Sequence, residues 1–195
     1  MSARVDCIVS PSARAALAGL GRTEDVMFSP SGRRLAIAGY RANRIAIFDI
    51  AIDVSAQARK VVVGGGVELE ASTLHRPHGL CFLDEETVAV ANRDGGVQVY
   101  AAPSARIEPG RREARPMQTL TGGADAPIRT PGSLASFALD PDTIELLVCH
   151  NYSNVVTRHV LDRRHDYASI RDDVLLRRGL DVPDGICISP DGTLI

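Results

Sequence analysis

Glu24, His78, Ala135 and Asp184 each stand four positions ahead of an apolar residue in similarly patterned segments, those residues being Phe28, Phe82, Leu139 and Ile188. If the segments repeat in space, these side chains converge, and three of the four can ligate a metal or move a proton. The carboxylates of Glu24 and Asp184 suit a hard cation such as calcium or magnesium, and adding His78 extends the set to zinc or manganese. A divalent metal held by Glu24, His78 and Asp184 is therefore one expectation. The other is structural: the same side chains cap strand starts or bond turn amides. His75 and His78 form His-x-x-His, but Pro77 between them prevents a helix from aiming both at one metal, so they read as loop residues. Gly-x-Ser-x-Gly, His-Glu-x-x-His, the P-loop and Gly-x-Gly-x-x-Gly are all absent. Gly64-Gly65-Gly66 precedes Val67-Glu68-Leu69-Glu70, which is no phosphate-capping helix start, and reads as a flexible turn.

The elements that must carry these residues recur. Asp25 to Gly32 is followed by Leu35-Ala36-Ile37-Ala38 and Ile45 to Asp49; Gly79 to Asp84 by Val88 to Asn92 and Val97 to Tyr100; Ser136 to Asp142 by Ile144 to Cys149 and Val155 onward; Gly185 to Gly192 opens a fourth. The anchors Phe28, Phe82, Leu139 and Ile188 are 54, 57 and 49 residues apart, a structural period. Ser-Pro-Ser-Gly, Asp-Pro-Asp and Ser-Pro-Asp-Gly are tight-turn chemistry between a first and a second strand. Alternation of large and small in Leu35 to Ala38 and Val88 to Ala91 suits strands buried on both faces. Fourth strands are expected at Lys60 to Val63 or Val67 to Glu70, at Met117 to Leu120 and at Asp173 to Leu176.

Four-stranded units in tandem predict an all-β fold, a β-propeller of the six- or seven-bladed type, with about three and a half blades present. The units are 22–74, 75–130, 131–179 and 180–195, after an N-terminal segment, 1–21. Such an array does not close a ring, so the expectation is a fragment, or an open array whose self-association covers its blade edges. In the N-terminal segment, Val5 to Val9 reads as a strand without a partner here, and Ser12 to Leu20 as an alanine-rich helix. Pro103 to Arg115 and Gly122 to Gly132 read as surface loops, and Arg158 to Arg178 as a solvated charged face.

Composition narrows the function classes. Hydrophobic residues make up 45% of the 195, enough for a core, and aromatics only 4%. With 22 basic and 24 acidic side chains the net charge is -2, which gives nucleic acid no global attraction. Lys60 is the only lysine, which disfavours Schiff-base chemistry. No run is long and apolar enough for a membrane helix, and the start lacks a signal-peptide core, so a cytoplasmic protein with no membrane partner is expected. Cys7, Cys81, Cys149 and Cys187 are widely spaced, and the last three read as reduced core thiols.

Val182-Pro183-Asp184-Gly185-Ile186-Cys187-Ile188-Ser189-Pro190-Asp191-Gly192 resembles the SMP-30/gluconolactonase family. Those are six-bladed propellers in which the aspartate of a Pro-Asp-Gly segment binds the catalytic divalent metal. The resemblance implies that role for Asp184, and a ligand role for Glu24 ahead of Asp25-Val26-Met27-Phe28-Ser29-Pro30. The family's middle ligand is an asparagine in Pro-Asn-Gly; here the third unit has Ala135-Ser136 and the second Pro77-His78-Gly79. Val88-Ala89-Val90-Ala91-Asn92 through Gly96-Val97-Gln98-Val99-Tyr100, and Cys149-His150-Asn151 through Asn154-Val155-Val156, resemble NHL and YVTN-type repeats, which are largely binding and scaffold modules. The first expectation is thus a binding or scaffold module that recognises a protein or small ligand at the channel face. The second is a metal-dependent lactonase or esterase-type hydrolase, whose cation would polarise the ester carbonyl and activate water.

Overall fold

The computed structural model describes residues 5–55, 59–103, 110–189 and 191–195. Strand β1 (Asp6–Val9) leads into helix α1 (Pro11–Leu20). Ser10 caps the helix, its hydroxyl accepting from the Ala13 N–H at 3.2 Å, and Pro11 sets the first helical φ. Strands and turns follow. The first antiparallel meander is β2 (Thr23–Phe28), β3 (Arg34–Gly39), β4 (Arg44–Val54) and β5 (Arg59–Glu70). The second is β6 (Pro77–Asp84), β7 (Thr87–Asn92) and β8 (Val97–Ala101), completed, after the short β9 (Gly110–Glu113), by β10 (Gln118–Leu120). The third is β11 (Pro131–Ala138), β12 (Thr143–His150), β13 (Val155–Asp162) and β14 (Ala168–Leu176). The chain is thus all-β, built from four-stranded antiparallel sheets, the first of which gains two parallel additions, β1 and β9, on β5.

The sheets stack by fitting large side chains against small ones. Ala36 and Ala38 of β3 share a buried cluster with Val88 and Val90 of β7. Ala89 and Ala91, on the other face of β7, pack with Leu146 and Val148 of β12. The alternation read from the sequence is therefore the packing code between neighbouring sheets. The first strands of the sheets, β2, β6 and β11, lie side by side. Hydrogen bonds tie residues about one repeat apart: Asp25 Oδ2 accepts from the Leu80 N–H at 2.8 Å, and the Ser136 hydroxyl donates to the Phe82 carbonyl at 2.9 Å. The outer face of the first sheet is covered by α1, whose Ala13 and Leu20 are buried with Phe48, Ile50 and Val63.

Several expectations change. Val5 to Val9 is not partnerless: β1 pairs in parallel with β5 from Asp6↔Lys60 to Val9↔Val63. Gly64 to Gly66 is no turn but the middle of β5, and a Cβ on Gly66 would lie 2.6 Å from the Phe48 ring, so the glycine makes room for that ring. Within Pro103 to Arg115, residues 110–113 form β9, again parallel to β5; residues 104–109 lie outside the described residues. Phe28 and Leu139 are 51% and 47% exposed, so neither is a core anchor, whereas Phe82 is buried. Phe82 pairs with Val88 and Ser136 with Leu146, which makes Ser136, not Leu139, the third-unit equivalent of Phe82. The β11–β12 hairpin hid that register from simple counting: ten positions separate Ser136 from its partner Leu146, against six between Phe82 and Val88, so the Asp-Pro turn stands farther along the strand.

Cys81 and Cys149 are buried, but Cys187 is exposed: residues 180–188 form no strand, and its neighbours Ile186 and Ile188 are the side chains that pack against Leu147, Cys149 and Val156 of the third sheet. Burial pushes the Cys81 thiol up to about 12 and the Cys149 thiol to about 11. A thiol-specific reagent on the folded chain will therefore label Cys7 and Cys187 rapidly, and Cys81 and Cys149 only after denaturation. Rapid native labelling of Cys81 would contradict the stacking described.

Candidate functional site

At one end of the first strands, a repeated backbone device sets the candidate residues. Arg76, Thr130 and Val182 precede Pro77, Pro131 and Pro183, and their φ values are +55°, +46° and +46°. Positive φ is costly for side chains of these types, most of all for β-branched Thr130 and Val182, so tertiary contacts must hold the turns. Two are held alike: Asn43 Oδ1 accepts from the Arg76 N–H at 2.8 Å, and Asn154 Oδ1 from the Val182 N–H at 2.9 Å. The residues after the three prolines, His78, Gly132 and Asp184, are then equivalent positions. The third unit thus presents Gly132 where the anchor count placed Ala135.

Gly132 is there because another side chain uses its space. A Cβ on Gly132 would sit 1.8 Å from Asn151 Oδ1. Asn151, just beyond β12, therefore supplies the side chain that the third unit's first strand gives up. By strand register, its counterparts beyond β3 and β7 are Tyr40 and Arg93.

These residues form one polar chain. His78 Nδ1 lies 3.0 Å from the Gly132 carbonyl, to which it must donate. Its Nε2 is then an acceptor, and Arg93 Nη2 donates to it at 2.6 Å. Arg93 Nη1 donates to Asn151 Oδ1 at 2.6 Å, and Asn151 Nδ2 donates to Asp184 Oδ1. Glu24 Oε2 is 3.8 Å from His78 Nε2, and Arg22 Nε touches Glu24 Oε1 without aligning on it, leaving that buried oxygen without a hydrogen-bond donor. The Arg22 guanidinium lies over Tyr40 at 4.8 Å, and Arg93 over Tyr152 at 5.4 Å from the ring centroid. Glu24 and His78 are mostly buried, Asn151 is buried and Asp184 is exposed.

Glu24, His78 and Asp184 are thus joined in one chain, with Arg93 and Asn151 between His78 and Asp184. They do not fit a divalent cation in this arrangement. His78 Nε2 spends its one lone pair, and Asn151 Oδ1 one of its two, on the Arg93 guanidinium, and no three His, Cys, Asp or Glu among the described residues converge as metal ligands. Arg22, Tyr40, Arg93 and Asn151 were missed by reading the sequence. The repeat held the signal: the rule applied to the starts of first strands also applies just beyond the ends of second strands.

Below the polar chain, a cavity of about 230 Å³ runs between the first strands, lined by Met27, Phe28, Phe82, Leu134 and Ile186. Elsewhere, Thr157, His159 and Asp172 have the order of a hydrolase triad: Thr157 Oγ1 to His159 Nε2 is 2.7 Å and His159 Nδ1 to Asp172 Oδ1 is 2.6 Å. Thr157 and His159 are 1% and 0% exposed, so no substrate reaches them. His150 Nε2 bonds the same hydroxyl at 2.8 Å, and the relay is structural.

No family model and no curated protein matches the sequence. Solved structures do share the fold. One is the crystal structure of a Bacteroides fragilis protein assigned as a 6-phosphogluconolactonase, with a TM-score of 0.53 and 16% identity. The match covers 88% of this chain and 46% of that one, so the chain spans about half the length of that protein. At this identity the likeness speaks for the fold alone. No helix among the described residues is long and apolar enough to cross a membrane.

Proposed function

We propose that the chain is part of a β-propeller that binds a small anionic ligand at the end of its first strands. The propeller reading is supported by the tandem four-stranded sheets, by hydrogen bonds between residues about one repeat apart, and by the likeness to the Bacteroides structure. The ligand reading rests on one observation: the Arg93 guanidinium, aimed among three units, bonds two neutral groups, His78 and Asn151, rather than a carboxylate. Its charge is left for an incoming carboxylate or phosphate. Calorimetric titration with phosphate, gluconate and 6-phosphogluconate should give saturable binding to at least one, weakened about tenfold or more in Arg93→Ala, the loss expected for a charge-assisted hydrogen bond. Equal affinity of the two proteins for all three anions would defeat the reading.

A second reading, hydrolysis of a sugar lactone, is favoured by the name of the Bacteroides protein and by the His78 tautomer. Nε2 is that ring's basic atom, able to take a proton from water once a ligand draws Arg93 away. Acid release from 6-phosphogluconolactone above the spontaneous rate, abolished in His78→Ala, is the result this reading expects.

A further inference from the structure

We infer that the Arg93 guanidinium is the built-in cation of this site, standing where the donors of Glu24, His78, Asn151 and Asp184 would otherwise gather a divalent metal. The inference rests on the site proposed above but not on the identity of its ligand. Four groups with oxygen and nitrogen donors are strung along this polar chain without converging on one point, of types that suit manganese or zinc once the guanidinium between them is removed. Two of them, His78 Nε2 and Asn151 Oδ1, each receive an Arg93 N–H at 2.6 Å. The carboxylates stand on either side: Glu24 Oε2 at 3.8 Å from the same His78 nitrogen, and Asp184 on the far edge of the Asn151 amide. Glu24 Oε1 is buried against Arg22 Nε without an aligned hydrogen bond.

The repeat says the arrangement is particular to the second unit. Tyr40 and Asn151 occupy the positions equivalent to Arg93, and only in the second unit is that position cationic. A guanidinium and a metal ion also do different chemistry. The guanidinium keeps its charge at any physiological pH and without any metal supply, and it offers planar hydrogen bonds rather than an open coordination position for water. The native site therefore recognises an anion directly and generates no metal-bound hydroxide.

The test is calorimetric titration of manganese and calcium chlorides into the wild-type chain, Arg93→Ala and Arg93→Gln. The wild type should show no saturable binding up to about 1 mM, while each variant binds Mn²⁺ about tenfold more tightly or better, with a rise in Tm. Adding Asp184→Asn to Arg93→Ala should remove that binding. Methylguanidinium at about 10 mM should raise the Tm of Arg93→Ala, leave the wild type unchanged and compete with Mn²⁺. Equal Mn²⁺ affinity in wild type and variants would overturn the inference. So would folded variants that bind neither Mn²⁺ nor methylguanidinium. If both variants unfold, recovery by methylguanidinium supports the inference and its absence overturns it. Anion titrations of the wild type report separately on the proposed ligand, so either reading can fail without the other.

Discussion

Gly132→Ala will destabilise the chain by roughly 2–4 kcal/mol and dismantle the polar chain at the site, although the substitution adds a single methyl group. The new Cβ would lie 1.8 Å from Asn151 Oδ1 and 2.8 Å from its Cγ, far inside contact distance. Asn151 cannot simply swing away. It is 2% exposed, and its amide is clamped between Arg93 Nη1 and Asp184 Oδ1. Moving it breaks two charge-assisted hydrogen bonds and leaves His78 as the remaining hydrogen-bond partner of the Arg93 guanidinium. Urea denaturation of Gly132→Ala, Asn151→Ala and the double variant checks the cause. Because alanine at 151 removes the clash, the double variant should be markedly less destabilised than the sum of the single changes. Additive losses would mean that Gly132 matters for its backbone alone.

His159→Ala will cost roughly 3–5 kcal/mol, the largest single loss expected in the third sheet. The imidazole is fully buried and bridges Asp172 on β14 to Thr157, whose hydroxyl also serves His150. Deleting His159 leaves an imidazole-sized void in the sheet, the Thr157 hydroxyl with His150 as its remaining side-chain partner, and the Asp172 carboxylate with the Ser169 hydroxyl. Thr157→Val, which nearly preserves volume, should retain part of the loss. A fall in stability below about 1 kcal/mol in His159→Ala would remove the structural role. His150 adds a pH dependence. Burial lowers its pKa, the Arg129 carbonyl opposes that shift and His159 adds to it. The folded chain therefore resists protonating a group that titrates near 6.5 when unfolded. That contribution is present above about pH 6.5 and is lost as pH falls through the lower folded pKa. The urea midpoint should accordingly be lower at pH 5 than at pH 7.5.

Local patterns carried much of the architecture because they are short-range. The helix after Ser10, the strand pairs around each turn and the large-small alternation of β3 and β7 depend on residues within a few positions of one another, and all are legible in the chain. The fourth-strand segments expected at Lys60 to Val63 or Val67 to Glu70, at Met117 to Leu120 and at Asp173 to Leu176 were legible for the same reason, and fall in β5, which spans both alternatives, β10 from Gln118, and β14. Cys187 was not: its sequence reads as a buried strand, but Ile186 and Ile188 pack against the third sheet and Cys187 between them is left exposed.

At the site, the sequence alone determined that Glu24 and His78 hold equivalent places and that Asp184 belongs with them, since a repeat maps equal positions onto equal geometry. Only the tertiary structure decided what lies between them. The longer β11–β12 hairpin carried the Asp-Pro turn three residues farther from the site, so Gly132 rather than Ala135 takes the equivalent place, and the space is filled by Asn151 from the next strand's end. Arg93 entered the same space from the second sheet. A hairpin of unequal length and a side chain crossing between sheets leave no periodic trace, because the one breaks the spacing along the chain and the other depends on the shape of space between elements.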